Sequence, residues 1–358
     1  MNRFALLRFL VVAQLLIISS TPALCLEALS RDPYVGAIVV DASDGRVLFE
    51  DNADAKAYPA SMIKLMNLLI ILDAVDKGQL RMDEIVTVSA EASRMGGSQV
   101  YLKEKETFTV EDLLYAMIVQ SANDAALALA QHYAGSREGF VDLMNKKAME
   151  LGMKDTVFHS VHGLPPGKSQ MPDLTTARDM ARLGRALANR PEALVFTSTI
   201  ERAFRPDAAQ PFIMRTHNHL LKNFEGCDGL KTGYYSAAGF SIAATAQKKG
   251  VRAIAVVMGS TNNKIRDAKA REILSKGLME LVLSAPPPAP AASATVAPAA
   301  SEPASAADIS ADIAAEETAP GMVMIRKRTL VIAGLINAAV ILLLAVALVR
   351  SRSANRRF

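Results

Sequence analysis

Three short motifs place serine hydroxyls and lysine amines at spacings suited to acyl transfer. They are Ser61-Met62-Ile63-Lys64 with the pattern Ser-x-x-Lys, Ser121-Ala122-Asn123 with the pattern Ser-x-Asn, and Lys231-Thr232-Gly233. Residues three apart share a helix face, so Lys64 can reach the hydroxyl of Ser61. A serine hydroxyl needs a neighbouring base before it becomes a useful nucleophile. The first motif therefore predicts that Ser61 attacks an acyl group.

Lys64 can act as that base only if its amine is neutral near pH 7. Burial disfavours the charged form of an amine, and a second cation nearby, such as Lys231, disfavours it further. The alternative is an ordinary solvated lysine, but the apolar neighbours Ile63 and Leu65 favour a buried position. We therefore expect Lys64 to be a buried general base.

Ser121 and Asn123 lie in a break between two helical segments. We expect Ser121 to relay a proton toward the leaving group and Asn123 to fix an amide of the substrate. Asn123 has a second interpretation, as the cap of a helix that begins at Asp124. The two roles are compatible.

The Lys-Thr-Gly motif falls in a segment with strand character. Lys231 and Thr232 can bind a terminal carboxylate, and Gly233 allows a substrate strand to approach closely. The N–H of Tyr234 and the N–H groups at the start of the Ser61 helix can stabilise an oxyanion. The alternative interpretation is a charged edge strand with a glycine bulge.

The segments around the motifs predict strands at both ends of a domain and helices between them. Strands are expected at 35–40, 46–50, 229–235, 240–247 and 251–259. Helical spacing predicts a helix that begins at Pro59 and others at 110–119, 124–133, 177–188 and 264–282. Thr109 with Asp112, and Thr175 or Thr176, are expected to cap two of these helices. The fold class is therefore α+β: an antiparallel sheet built from both ends of the domain, covered by helices, with an all-helical lobe.

Composition and charge exclude several other functions. The chain has 358 residues, of which 51% are hydrophobic and 21% charged, so it can form a substantial core. Its net charge of +4 comes from +2 in residues 1–25, −5 in 285–320 and +7 in 321–358, so residues 26–284 are electrically neutral. A neutral domain disfavours binding to nucleic acid. Cys25 lies in an expected signal peptide, and Cys227 alone cannot form an internal disulfide or a cysteine-rich metal site.

The N-terminal and linker segments predict export. Residues 1–25 have the basic, apolar and small-residue regions of a signal peptide, with an uncleaved anchor as the alternative. Residues 26–284 then form the catalytic domain. Residues 285–320 contain 15 alanines, 7 prolines and no lysine or arginine, which is typical of an extended tether.

The C-terminal segment predicts a membrane anchor. A basic segment at 321–328 precedes an uncharged run at 329–349, which is long enough to span a bilayer as a helix. A basic tail follows at 350–358 and is expected in the cytoplasm. The catalytic domain is therefore expected on the extracytoplasmic, periplasmic side of a bacterial membrane.

The motifs and their surroundings resemble the serine D-alanyl-D-alanine carboxypeptidases, the low-molecular-mass penicillin-binding proteins. The similar segments are residues 58–65, 97–98, 102–103, 112–117, 123–126, 162–165, 218–221 and 228–233. The resemblance implies a β-lactamase/transpeptidase-like fold and acylation of Ser61 by a peptidoglycan stem peptide that ends in D-Ala-D-Ala. It also implies release of D-alanine, hydrolysis by water, covalent inhibition by β-lactams, and no metal or other cofactor.

Two features depart from the family's pattern. Ala122 stands where the family more often has glycine, and its methyl group is expected to be tolerated or to crowd the loop. Family members often carry a β-rich second domain before an amphipathic anchor. Here the expected linker follows the last helix directly, so we expect that domain to be absent.

Three other functions remain open. A D,D-endopeptidase of the same family would cut cross-links, and the sequence does not separate it well from a carboxypeptidase. A serine β-lactamase needs a glutamate that activates water, but no Glu-x-x-Leu-Asn segment lies between Ser121 and Lys231. A non-catalytic wall-binding scaffold is disfavoured by the intact set of Ser61, Lys64, Ser121 and Lys231.

Other residues with chemical potential have simpler interpretations. Asp173, Thr175 and Asp179 could suggest a metal or acid/base site, but helix capping by Thr175 or Thr176 is the simpler interpretation. His159 and His162 are expected to shape the site, and His217 and His219 to have a structural or site-lining role, since no third metal ligand lies nearby in the sequence. Cys227 is expected to be a small buried hydrophobe.

Overall fold

The computed structural model describes residues 26–167 and 170–284. The expected signal peptide, linker, basic segment, membrane span and tail lie outside the described residues. Within the described ranges, no helix combines the length and the apolar character needed to cross a bilayer.

A five-stranded antiparallel sheet joins the early and the late strands of the described chain. Its strands are β1 (Gly36–Asp41), β2 (Val47–Asp51), β7 (Cys227–Tyr235), β8 (Gly239–Lys248) and β9 (Val251–Ser260). They lie in the order β2-β1-β9-β8-β7, so that β7 forms one edge. The expected sheet is therefore confirmed, with strand limits that differ from the predicted ones by one or two residues.

The two faces of the sheet bury different side chains, because successive residues of a strand point to opposite faces. Ile38 and Val40 of β1 belong to the main core, whereas Ala37 and Val39 pack under the long helix α8 (Asn263–Ser284). The predicted cover of helices is therefore present, and the structure shows that it extends to both faces of the sheet.

The other helices form a lobe beside the sheet and cover the face that carries Ile38 and Val40. They are α1 (Lys64–Asp76), α2 (Val110–Val119), α3 (Asn123–Ala134), α4 (Arg137–Glu150), α5 (Ala177–Ala188), α6 (Pro191–Thr197) and α7 (Leu220–Asn223). The Thr109 hydroxyl accepts the Asp112 N–H at 3.1 Å, and the Thr176 hydroxyl accepts the Asp179 N–H at 3.1 Å. These bonds confirm the caps expected for α2 and α5.

Helix α1 is buried on nearly every side. Its residues from Lys64 to Leu72 are all buried, and Lys64 and Asn67 are the polar ones among them. A helix that is apolar all round belongs in the middle of a core. The buried polar side chains of α1 therefore need partners inside the protein.

Several elements, most of them short, had no counterpart in the sequence predictions. They are helices α4, α6 and α7 and two hairpins, one of β3 (Ile85–Thr87) with β4 (Thr107–Thr109) and one of β5 (Glu201–Phe204) with β6 (Phe212–Arg215). Strands of three or four residues are too short to produce a clear alternation of apolar and polar residues. The second hairpin leads directly into the segment that contains His217 and His219.

Candidate active site

Ser61 lies in a short 3-10 turn rather than at the start of an α-helix. The turn spans Ala60–Ile63, and α1 begins only at Lys64, so the prediction of a helix that begins at Pro59 was wrong at this end. Ala60 has a φ of 46°, which regular right-handed helix excludes. Strained backbone of this kind is often concentrated at functional sites.

Lys64 is fully buried, and its amine contacts three oxygen atoms. Its Nζ lies 3.0 Å from the Oγ of Ser61, 2.7 Å from the Oδ1 of Asn123 and 2.7 Å from the backbone oxygen of His162. The predicted pairing of Lys64 with Ser61 is therefore present in the structure. The His162 carbonyl is a partner that no side-chain motif can reveal.

The surroundings of Lys64 favour its neutral amine. Burial lowers its pKa well below the ordinary value, and the charge of Lys231 lowers it further. The carboxylates of Asp124 and Asp173 act in the opposite direction but are outweighed. The direction of the shift and its two causes are those expected from the sequence.

Ser121 and Asn123 occupy the tight connection between α2 and α3. Ser121 is buried and has a φ of 63°. Asn123 is the first residue inside α3. The cap position before it is occupied by Ala122, which makes no side-chain hydrogen bond. The alternative role of Asn123 as a cap is therefore wrong. Its side chain instead accepts a hydrogen bond from Lys64 and donates one to the Gly96 oxygen at 2.8 Å.

Ala122 fits the loop without strain. Its φ of −62° lies in the range that any L-residue adopts, and its side chain is fully buried in the core. The methyl group thus takes part in packing at a position where glycine is more usual in the family that the sequence resembles.

Lys231, Thr232 and Gly233 lie on β7, the edge strand that faces the Ser61 turn. Lys231 and Thr232 are buried, and the Lys231 amine donates a hydrogen bond to the Thr232 oxygen at 3.2 Å. Burial and the nearby charge of Arg266 lower the pKa of Lys231 to about 7. A lysine in this position can donate to an anionic ligand at the edge of the strand.

Gly233 is required by the chain's own packing. A Cβ at this position would lie 2.5 Å from the Pro59 oxygen and 3.2 Å from the Cβ of Ala60. The sequence interpretation, in which the glycine makes room for a substrate strand, overlooked this contact. Its small size lets β7 lie directly against the turn that carries Ser61.

A cleft of about 380 Å³ opens between these elements. Its lining residues are Ser61, Ser98, Ser121, His217, His219, Thr232, Gly233, Tyr234, Phe240, Asn263 and Arg266. Tyr234 is half exposed, and its ring stacks on Phe240 with centroids 4.1 Å apart. Lys64, Asn123 and Lys231 do not line the cleft but lie behind its wall.

Some cleft residues were not predicted as part of a site. His217 and His219 line the cleft, in agreement with a lining role, but Ser98, Asn263 and Arg266 carried no recognisable motif. Arg266 is buried at the start of α8 and pairs with Asp267 at 2.6 Å. Its importance comes from tertiary proximity to Lys231, which sequence spacing cannot show.

Metal and thiol chemistry find little support in the described part of the chain. Among those residues, no group of three His, Cys, Asp or Glu side chains is arranged to hold a metal ion. The thiol of Cys227 donates to the Gly229 oxygen at 3.3 Å, and burial raises its pKa to about 11. A thiol with that pKa is a poor nucleophile at neutral pH.

Comparison with known proteins identifies a family for most of the described chain. The profile of peptidase family S11, described as D-alanyl-D-alanine carboxypeptidase, matches residues 34–262. The D-alanyl-D-alanine carboxypeptidase DacF of Bacillus subtilis is 38% identical over 238 residues, which are 66% of this chain and 60% of that protein. A D-alanyl-D-alanine endopeptidase of Pseudomonas aeruginosa is 35% identical over 208 residues, 57% of this chain and 64% of that protein. The chain thus spans less than two thirds of the length of these relatives.

Solved structures share the fold. Penicillin-binding protein 6B of Escherichia coli has a TM-score of 0.63 at 33% identity, over 72% of this chain and 80% of that one. Penicillin-binding protein D2 of Listeria monocytogenes, in its ampicillin-bound form, has a TM-score of 0.59 at 31% identity, over 70% and 97% of the two chains. The α+β fold expected from the sequence is confirmed by these neighbours.

Proposed function

The chain belongs to the D-alanyl-D-alanine carboxypeptidase family, and we propose that it removes the terminal D-alanine from peptidoglycan stem peptides through an acyl-Ser61 intermediate. The observation that carries this proposal is the buried Lys64 amine, 3.0 Å from the Ser61 hydroxyl, in surroundings that lower its pKa. Such an amine can accept the proton that the hydroxyl loses when it attacks a carbonyl.

The hydrogen-bond geometry fits a neutral Lys64. A neutral amine has two N–H groups and one lone pair, and the oxygens of Asn123 and His162 can accept the two N–H groups. The lone pair is then left for the hydroxyl hydrogen of Ser61. In this arrangement Ser61 is the donor and Lys64 the acceptor, which is the polarity that a general base requires.

In the first half of the reaction, the Ser61 oxygen attacks the carbonyl carbon of the penultimate D-alanine and its proton moves to Lys64. The N–H groups of Ser61 and Tyr234 stabilise the oxyanion that forms. When the tetrahedral intermediate collapses, the C–N bond to the terminal D-alanine breaks. The proton that Lys64 took from Ser61 passes through Ser121 to the departing amine, so Lys64 is neutral again, D-alanine leaves and the shortened peptide remains as an ester on Ser61.

In the second half, water attacks the ester. Lys64 again removes a proton, and the Ser61 oxygen regains one as the carboxylic acid leaves. Thr232 lines the cleft and can donate its hydroxyl to the carboxylate of the terminal D-alanine before cleavage, and the charge of the buried Lys231 behind it attracts that carboxylate. Their position supports an exopeptidase, since a free carboxylate is what distinguishes the end of a peptide from its interior.

Release of D-alanine from a synthetic stem pentapeptide tests the proposed activity. We expect the wild-type protein to release one D-alanine per peptide and Ser61→Ala to release none. The matched control is Ser275→Ala, the same substitution at an exposed serine of α8 that does not line the cleft. Equal release by wild type and Ser61→Ala would reject the mechanism.

Cleavage of cross-links is the second candidate function. A relative with 35% identity is named as an endopeptidase, and the cleft is open to solvent beside Tyr234, which is half exposed. Product analysis on isolated, cross-linked cell-wall peptides separates the two activities. Trimmed monomers indicate a carboxypeptidase, and a loss of dimers with a gain of monomers indicates an endopeptidase.

We also propose that β-lactams acylate Ser61 and remain attached. The ampicillin-bound structure of the Listeria relative supports acylation by a β-lactam. Among the described residues that line the cleft there is no Asp or Glu that could activate water as in a β-lactamase. A fluorescent penicillin should therefore label the protein stably, whereas rapid turnover without a lasting adduct would favour a β-lactamase.

We further propose that the protein is exported and anchored in the bacterial cytoplasmic membrane as a single-pass protein. The signal-like residues 1–25 and the uncharged run at 329–349 support this location.

A further inference from the structure

Two polar side chains of α1, one turn apart, hold consecutive carbonyls of the same loop. The Lys64 amine donates to the His162 oxygen at 2.7 Å, and the Nδ2 of Asn67 donates to the Val161 oxygen at 2.8 Å. Residues three apart on a helix lie on one face, so both reach the loop from the same side. Asn67 therefore lies next to the proposed base on this face of α1. The carbonyl that it holds is adjacent in the loop to the carbonyl that Lys64 holds.

The side chain of Asn67 contains a buried oxygen that lacks a hydrogen-bond partner, which is unfavourable for folding. Its side chain is 1% exposed, and its Oδ1 is the one buried side-chain oxygen or nitrogen of the described residues without a hydrogen-bond partner. A buried polar atom without a partner is costly, and an apolar side chain of the same size would avoid that cost. The amide is therefore best explained by what its other end, the Nδ2 donor, does for the loop.

The ends of this loop are held independently. One carboxylate oxygen of Asp173 accepts the N–H groups of His159 at 2.6 Å and Ser160 at 2.9 Å, and the other accepts the Ser160 hydroxyl at 2.7 Å. The Ser160 Oγ in turn accepts the Gly163 N–H at 2.9 Å. Asn67 holds the middle of the loop, next to the carbonyl that Lys64 uses.

We propose that Asn67 is a positioning residue for the general base. By holding the Val161 carbonyl, it fixes the adjacent His162 carbonyl as the acceptor of one Lys64 N–H. With the Asn123 oxygen accepting the other, the Lys64 lone pair is directed at the Ser61 hydroxyl. This inference rests on the proposed function, because it assumes that Lys64 is the base.

The position of Asn67 predicts an effect on chemistry and not on ligand binding. Asn67 does not line the cleft, so its loss should leave the affinity for a ligand unchanged. If the His162 carbonyl were free to move, the Lys64 amine could rotate. Its lone pair would then point at the Ser61 hydroxyl in a smaller fraction of the molecules. The rate of acylation should therefore fall while the binding constant stays constant.

The test is stopped-flow acylation of the full chain by a fluorescent penicillin, with wild type, Asn67→Leu and Thr245→Val. Saturation kinetics separate the binding constant from the acylation rate constant, and the melting temperature is measured in parallel. Asn67→Leu should lower the acylation rate constant about tenfold to a hundredfold, with the binding constant within about twofold. Thr245→Val is the matched control, because it removes a buried 3.0 Å hydrogen bond to the Ala253 oxygen in the sheet and should leave both constants unchanged.

Ser160→Ala provides a second variant if Asn67→Leu does not fold, because it releases the same loop at Asp173 and Gly163. It should also lower the acylation rate constant without weakening binding. Wild-type acylation rates in both variants would overturn the inference, and so would an equal fall in Thr245→Val. If the wild type itself forms no adduct, the proposed function fails. If an adduct forms at the same rate in every variant, the proposed function stands and the role of Asn67 is rejected.

Discussion

At the scale of single residues, the site depends on two buried amines with different tasks. Lys64 must be neutral to accept a proton from Ser61, whereas Lys231 must be charged to attract a carboxylate. Both are buried, and the charge of Lys231 helps to lower the pKa of Lys64. With a pKa of about 7, Lys231 is charged in part of the molecules near neutral pH, and in those molecules its charge favours the neutral amine of Lys64.

This coupling predicts a shift in the pH profile of Lys231→Gln. Removal of a nearby cation stabilises the charged form of Lys64, so its pKa rises. A smaller fraction of Lys64 is then neutral at a given pH, and the acid limb of the profile moves to higher pH. The profile of the acylation rate constant against pH measures this shift. Lys248→Gln, on the far end of β8, is the control, and an unmoved limb in Lys231→Gln would contradict the coupling.

His162 predicts a loss of stability in acid. Burial, and then the nearby charge of Lys64, lower the pKa of His162 from its ordinary value of 6.5 to about 4. The Leu164 N–H donates to its Nδ1 at 3.1 Å, which occupies the lone pair that a proton would need. Between these two pH values the unfolded chain binds a proton that the folded protein does not, so folding stability falls as the pH falls from about 6.5 to about 4.

The measurement is the melting temperature across that range for wild type and His162→Gln. The fall should be smaller in His162→Gln. An equal fall in both proteins would show that His162 is not the group responsible.

At the scale of elements, two glycines bring separate segments onto the nucleophile turn. Gly233 lets β7 approach the Pro59 carbonyl, and Gly163 has a φ of 74° and lies against the Ala60 carbonyl, where a Cβ would overlap the oxygen. The turn is therefore enclosed by a strand on one side and by the 159–163 loop on the other. This enclosure keeps the Ser61 hydroxyl within hydrogen-bond distance of the Lys64 amine.

Gly163→Ala should disrupt this packing, and Gly152→Ala is its matched control. Gly152 has a φ of 70°, but no heavy atom of the described residues lies within 4 Å of its added Cβ. Gly152→Ala should cost about 1–2 kcal/mol of unfolding free energy from backbone strain alone. Gly163→Ala should cost clearly more and should also slow acylation of Ser61. Denaturant titration and acylation rates measure the two effects, and equal costs would show that the close contact is unimportant.

The sequence predicted the sheet, the main helices and the motif residues because these depend on local patterns. The apolar, β-branched run along β1 and the helical spacing along α1 are properties of neighbouring residues. The His162 carbonyl and Arg266 could not be predicted, since their roles come from contacts between distant segments. Asn123 was misread as a possible cap because a polar residue before a helical run is a common cap signal, whereas here the helix begins one residue earlier.

At the scale of the whole molecule, the proposed anchor and the described domain have separate tasks. The described residues include a complete sheet with both faces covered and all the proposed site residues. The proposed linker at 285–320 and the proposed anchor at 329–349 follow in the sequence. The site chemistry should therefore not depend on attachment to the membrane.

A variant that ends at residue 320 tests this separation. It should appear in the soluble periplasmic fraction and acylate at the wild-type rate, whereas a variant that lacks only 350–358 should stay with the membrane. Cell fractionation followed by labelling with fluorescent penicillin measures both properties. Continued membrane association of the shorter variant would contradict the proposed anchor.

The most direct test of the central claim is the rate at which penicillin acylates Ser61 in wild type and in Lys64→Met, with the adduct located by mass spectrometry. Loss of a general base should slow acylation about a hundredfold to ten-thousandfold, and the adduct should lie on Ser61. An unchanged rate in Lys64→Met, or an adduct on another residue, would contradict the role of Lys64 as the base that activates Ser61.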